Sequence, residues 1–144
     1  MYNGLLHLHN ALRWVIIILL LVTLVQALTK KEGIQKTSLW LLIAAHITLL
    51  LGLYQYFTGA WGYNLISQQG FGEVMKSAQS RFWAVEHISS MLLAIVLITL
   101  ARGKAKKLNY RGALLLYAVA FLLIMAAVPW PFREEIARPL FPGM

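Results

Sequence analysis

Cysteine does not occur in the 144 residues. This excludes disulfides, thiolate metal sites, iron–sulfur clusters and haem attached through a Cys-x-x-Cys-His motif. Charge is scarce as well: charged residues make up 12% of the chain, with five acids against thirteen Lys and Arg. A soluble domain carries about 25% charged residues, so a chain that is 60% hydrophobic lacks the polar surface a water-soluble fold needs. Nucleophile elbow, phosphate loop and His-Glu-x-x-His are all missing, which leaves no hydrolase or transferase signature. Internal repeats and low-complexity linkers are absent too.

Long apolar runs fill the chain instead. Leu5–Leu28, Ser38–Phe57, Phe82–Leu100 and Gly112–Val128 each approach the roughly 20 residues a spanning helix needs. They predict an all-α protein, an integral membrane antiparallel four-helix bundle, formed as one domain over residues 1–144. The first run is too long for a signal-peptide core and has no basic lead-in, so it reads as a retained helix. Asn3 is the expected cap of the first helix and Thr37 or Ser38 of the second, with Gly33 and Gly103 in the short turns. Thr58–Arg81 forms a longer, glycine-broken connection with room for a short interfacial helix around Glu73–Ser80. Beyond Pro129-Trp130-Pro131, Phe132–Met144 is expected along the outer surface.

The net charge of +8 is topological rather than a nucleic-acid footprint. Lys30, Lys31 and Lys36 occupy the first connection, and Arg102, Lys104, Lys106, Lys107 and Arg111 the third. By the positive-inside rule both face the cytoplasm of a bacterial inner membrane, with both termini and Thr58–Arg81 outside. Anionic lipid headgroups of the bilayer, not nucleic acid, are the natural partners of Arg102–Arg111.

Three histidines, His9, His46 and His87, fall within different apolar runs. Ionisable groups in hydrocarbon are costly, so they normally face the bundle interior and are held by a partner, an ion or a cofactor. At 1.5 Å per residue from the cytoplasmic ends, His46 lies roughly 12 Å deep, His87 about 20 Å and His9 about 28 Å. Arg13 and Glu86 come out at about 22 and 21 Å, and this equal depth predicts an ion pair between the first and third spans. His9 and Arg13 share one helical face. His7 projects to the other side, among the outer headgroups, where solvation is its simplest role. His9 suits helix packing as readily as ligation, whereas His46, with only Thr48 as a polar neighbour, needs a partner from another helix.

Bis-histidine haem b is the default cofactor for imidazoles on facing helices. Small residues at Gly52, Ala84, Ser90, Ala94, Ala118 and Ala120 would let a macrocycle approach, and Arg13 or Arg81 would neutralise its propionates. His87 is the first expected ligand; the lean of side chains toward each helix N-terminus favours His9 over His46 opposite it. A non-haem metal site at His9, Glu86 and His87 is the alternative in ligand chemistry, and a non-catalytic accessory or assembly subunit the alternative in function.

His9-Asn10-Ala11-Leu12-Arg13-Trp14, His46–Leu53, Arg81-Phe82-Trp83-Ala84-Val85-Glu86-His87 and Pro129-Trp130-Pro131-Phe132-Arg133 resemble the signature stretches of small four-span membrane proteins labelled cytochrome b. The resemblance covers nearly the whole chain. It implies a polar core of His9, Arg13, His46, Arg81, Glu86 and His87. Paired histidines, two per helix, as in the two-haem respiratory cytochromes b, are lacking. The expected function is one-haem electron transfer with quinone or a respiratory complex subunit, in a chain that is free to form a homo-oligomer.

Overall fold

The computed structural model describes residues 2–141, and among them every regular element is helical. In chain order these are α1 (Tyr2–Leu28), α2 (Ile34–Thr58), the short α3 (Tyr63–Gln69), α4 (Phe71–Lys76) and α5 (Ala78–Arg81), a π-helical turn (Phe82–Glu86), α6 (His87–Lys106) and α7 (Tyr110–Ala127). Four helical stretches are long and apolar enough to cross a membrane: Tyr2–Leu28, Ile34–Gln69, Ala78–Lys106 and Tyr110–Ala127, with mean hydropathy of 2.4, 1.7, 2.0 and 1.9.

These helices close a ring in which α1 and α6 each pack chiefly against α2 and α7. Hydrogen bonds fix how their ends meet. Gln55 Nε2 near the end of α2 donates to Leu5 O near the start of α1 at 3.0 Å. Gln35 Nε2 at the start of α2 donates to Lys106 O at the end of α6 at 2.7 Å. Tyr56 OH reaches Ala84 O, in the π turn, at 3.0 Å.

Packing inverts the soluble pattern. Ala94, Ala101, Ala105, Ala113 and Ala120 are completely buried, whereas Leu50, Leu122 and Trp40 are 69%, 67% and 63% exposed. Small residues let helix backbones approach closely where lipid supplies no hydrophobic drive, and large apolar side chains face outward, compatible with contact to a lipid bilayer. One core cluster draws on all four long helices, from Ile16 and Leu20 to Leu41, Ile98 and Tyr117. A smaller one, Leu65, Val74 and Ala84, anchors the connection between α2 and α6.

Several boundaries differ from the sequence expectation. α1 already includes Asn3, and α2 begins four residues before Ser38, after Gly33. Thr37 and Ser38 instead bond back to Gly33 O and Gln35 O, a local satisfaction open to hydroxyl side chains inside a helix. Gly103 lies within α6, and the turns use Lys30 and Leu108 at φ 53° and 55°. Gly70, with φ 81°, separates α3 from α4, so the long connection holds three short helices where one was expected. The segment after Pro129 folds back as a strap, closed by Arg138 N donating to Pro129 O at 3.0 Å. Of the tail expected along the outer surface, residues 142–144 lie outside the described residues.

Candidate functional site

Tight alanine packing holds the helices together at the end of the bundle where α2 and α7 begin. Toward the other end lies a cavity of about 660 Å³. Its walls come from the first half of α1, the second half of α2, the first half of α6 and the end of α7, and the strap lies across its mouth. The lining is apolar except for a few groups, among them His9, Arg13, Thr48, Gln55, His87 and Arg138.

His9 and His87 enter this cavity from helices on opposite sides of the ring, with ring centroids 6.5 Å apart and planes inclined at 59°. His87 is held firmly. Its Nδ1 lies 2.8 Å from Ala127 O, and because a carbonyl only accepts, Nδ1 carries the hydrogen and Nε2 is the nitrogen left with a free lone pair. Phe82 and Trp83 pack around the ring at 5.8 and 5.9 Å. The π turn ends immediately before His87 and Gly52 clears space for His9: a Cβ on Gly52 would stand 3.2 Å from His9 Cε1. His9 Nδ1 is buried without a hydrogen-bond partner.

The expected Arg13–Glu86 pair does not form. Glu86 accepts from Arg81 Nε at 2.6 Å on the exterior, and Arg81 Nη1 also donates to Met75 O. The π turn is the cause: its i→i+5 repeat brings positions five apart to one side of the helix, which the α-helical depth ruler did not include. Arg13 turns to the strap, donating to Leu140 O at 2.6 Å and lying over the Trp14 and Trp130 rings at 5.3 and 5.9 Å. Trp14 Nε1 donates to the same carbonyl at 2.7 Å and its ring stacks on Phe141 at 5.6 Å.

Two further expectations are corrected. His46 is exposed on the outer face of α2, its Nδ1 bonded to Leu42 O, and does not line the cavity. Arg81 is committed to Glu86 and Met75 and does not line it either. Consequently the three-histidine metal set and the His9, Glu86, His87 set are both dispersed, and among the described residues no group of three or more His, Cys, Asp or Glu side chains is placed to hold a metal ion. Of the small residues singled out, Gly52 and Ala94 line the cavity, while Ala84, Ser90, Ala118 and Ala120 do not. His7 is exposed at the mouth.

Sequence reasoning missed Arg138. Its guanidinium sits over Trp83 at 4.8 Å and Trp61 at 5.9 Å, at the cavity mouth. Nothing in the pattern around Arg138 singles it out; the fold of the strap alone brings it there. The arrangement thus offers two imidazoles inside an apolar chamber and two cations, Arg13 and Arg138, at its opening. No protein-family model, curated protein or solved structure matches the chain.

Proposed function

We propose that this chain is an antiparallel four-helix protein of the bacterial inner membrane, with both termini outside, that holds one haem b in the cavity between His9 and His87 and exchanges electrons with quinone or a respiratory partner. The observation that carries this reading is the His9–His87 pair, 6.5 Å apart and lining one cavity. His9 and His87 reach into this space from different helices and would together hold the iron of a bound haem. The clearance for the His9 ring at Gly52 and the bond that fixes His87 through Nδ1 both suit ligation by these two imidazoles.

His9 and His87 would hold the haem, and Arg13 and Arg138 would neutralise its propionates. Bound there, haem supplies a one-electron carrier whose potential is tuned by burial and axial ligands. The chain's own residues orient the two rings, exclude water with aliphatic walls, and close the mouth with the strap. The topology is supported by eight basic residues in the two short connections and the helix ends that flank them.

The test is an absorption spectrum of protein produced with ample haem, oxidised and dithionite-reduced. A six-coordinate low-spin spectrum is expected. His87→Ala should abolish the chromophore and His9→Ala should convert it to a five-coordinate form, with His46→Ala and His7→Ala unchanged. A colourless parent, alongside a His87→Ala variant that folds equally well, would eliminate the haem reading.

A further inference from the structure

The strap beyond Pro129 is held in two different ways. Its first part is built into the bundle: Trp130 Nε1 donates to Met125 O at 2.8 Å, Arg133 Nη1 to Ala126 O at 2.7 Å and Gln79 Nε2 to Glu135 O at 2.9 Å, and the Ile136 side chain is buried. Arg138 N closes this part on Pro129 O at 3.0 Å. From Pro139 to Phe141 every residue is exposed. These three are clipped to α1 by side chains that reach for their carbonyls: Asn10 Nδ2 to Pro139 O at 3.4 Å, Arg13 Nη2 to Leu140 O at 2.6 Å and Trp14 Nε1 to the same oxygen at 2.7 Å. Phe141 adds its ring, stacked on Trp14 at 5.6 Å. A segment with little buried apolar surface and a few exposed hydrogen bonds opens at low cost.

Closure also strands polar atoms. Asn10 Oδ1 and Arg13 Nε are buried without a hydrogen-bond partner, and both belong to side chains that residues 139–141 lie against. A buried group without a partner costs its desolvation, which offsets part of what the clips contribute. Lifting residues 139–141 returns both groups to water, which draws the closed and open arrangements together in free energy. Pro139 and Phe141 line the central cavity, whereas Trp14 does not.

We propose that residues 139–141 form a lid on the central cavity, hinged at Arg138 and latched on α1 through Leu140 O, and that the cavity is filled and emptied past this lid from the strap end of the bundle. Trp14 is the latch residue that touches the lid but not the cavity, so its removal reports on gating without altering the chamber. The lid stands whatever fills the cavity; only the haem arm of the test rests on the cofactor reading.

The test uses the full chain carrying Ala94→Cys, at a completely buried position that lines the cavity of a chain without native cysteine. In phosphatidylethanolamine/phosphatidylglycerol nanodiscs the thiol is reacted with the anionic, bilayer-impermeant sulfonatoethyl methanethiosulfonate. Trp14→Phe keeps a ring for Phe141 but loses the Nε1 donor, and should raise the labelling rate roughly fivefold, the scale of one net hydrogen bond. Phe141→Ala should act in the same direction. His7→Cys, exposed at the mouth, should label fast and at one rate with either residue at position 14. With haem, Trp14→Phe should raise the association and release rates by the same factor and leave Kd unchanged, because a lid closed in both states sets only the barrier, whereas a loosened site speeds release alone. Equal Ala94→Cys labelling with and without the latch, parent labelling as fast as at His7→Cys, or release accelerated alone would overturn the proposal. A colourless protein whose Ala94→Cys still labels faster in Trp14→Phe would refute the cofactor reading and uphold the lid.

Discussion

The imidazoles of His9 and His87 face one another across 6.5 Å although α1 and α6 stand on opposite sides of the helical ring. Gly52 on the intervening α2 makes the approach feasible, since a Cβ there would meet His9 Cε1 at 3.2 Å.

Enlarging Gly52 should accordingly act on the site more than on the fold. Gly→Ala in a helix gains about 0.5–1 kcal/mol of backbone stability, while crowding a packed position costs typically 1–3 kcal/mol. Gly52→Ala is expected to change unfolding by no more than about 2.5 kcal/mol by this balance, and Gly52→Leu to displace His9 and prevent six-coordinate ligation. Circular dichroism and the reduced spectrum, measured together, distinguish a lost site from a lost fold.

Glu86 and Arg81 form a half-exposed pair, with side chains 44% and 35% exposed. Surface pairs are worth about 0–1 kcal/mol, so Glu86→Gln should cost less than about 1 kcal/mol in a denaturant titration in micelles. A double-mutant cycle between Arg13 and Glu86 should be additive; coupling above about 1 kcal/mol would contradict the geometry.

Arg13 holds the strap through Leu140 O at 2.6 Å. Hydrogen bonds to charged groups contribute about 1.5–3 kcal/mol. Arg13→Ala should accelerate amide hydrogen exchange across residues 130–141 by tenfold or more, on that scale, while exchange at Ile98 and Tyr117 in the core stays unchanged. Uniform acceleration would mean that Arg13 stabilises the whole bundle.

The topology is open to labelling because the chain has no native cysteine. Ser67→Cys, in the long connection, should react with an impermeant maleimide in spheroplasts, and Lys106→Cys only after permeabilisation. The reverse pattern would invert the orientation drawn from the basic residues.

Much of this protein is legible in the amino-acid order. Four apolar runs fix four spanning-length helices, because a backbone among such side chains satisfies its hydrogen bonds within each helix. The runs also isolate the histidines, since an imidazole among leucines is conspicuous without any alignment. Which histidines meet was decided elsewhere. One π turn at Phe82–Glu86 breaks the α-helical rotation per residue, binding Glu86 to Arg81 rather than Arg13, so counting residues along a helix could not place them. His46 turns outward and His9 inward because packing against neighbouring helices selects the buried face, a choice the segment alone does not make. Arg138 reaches the cavity only through the fold of the strap, where Pro129 O and the Trp61 and Trp83 rings hold it. Local sequence therefore determined helix, span and charge asymmetry, which depend on short-range hydrogen bonding and transfer energies. The tertiary structure decided the site, because the facing of side chains from distant helices depends on close packing between elements that no local pattern encodes.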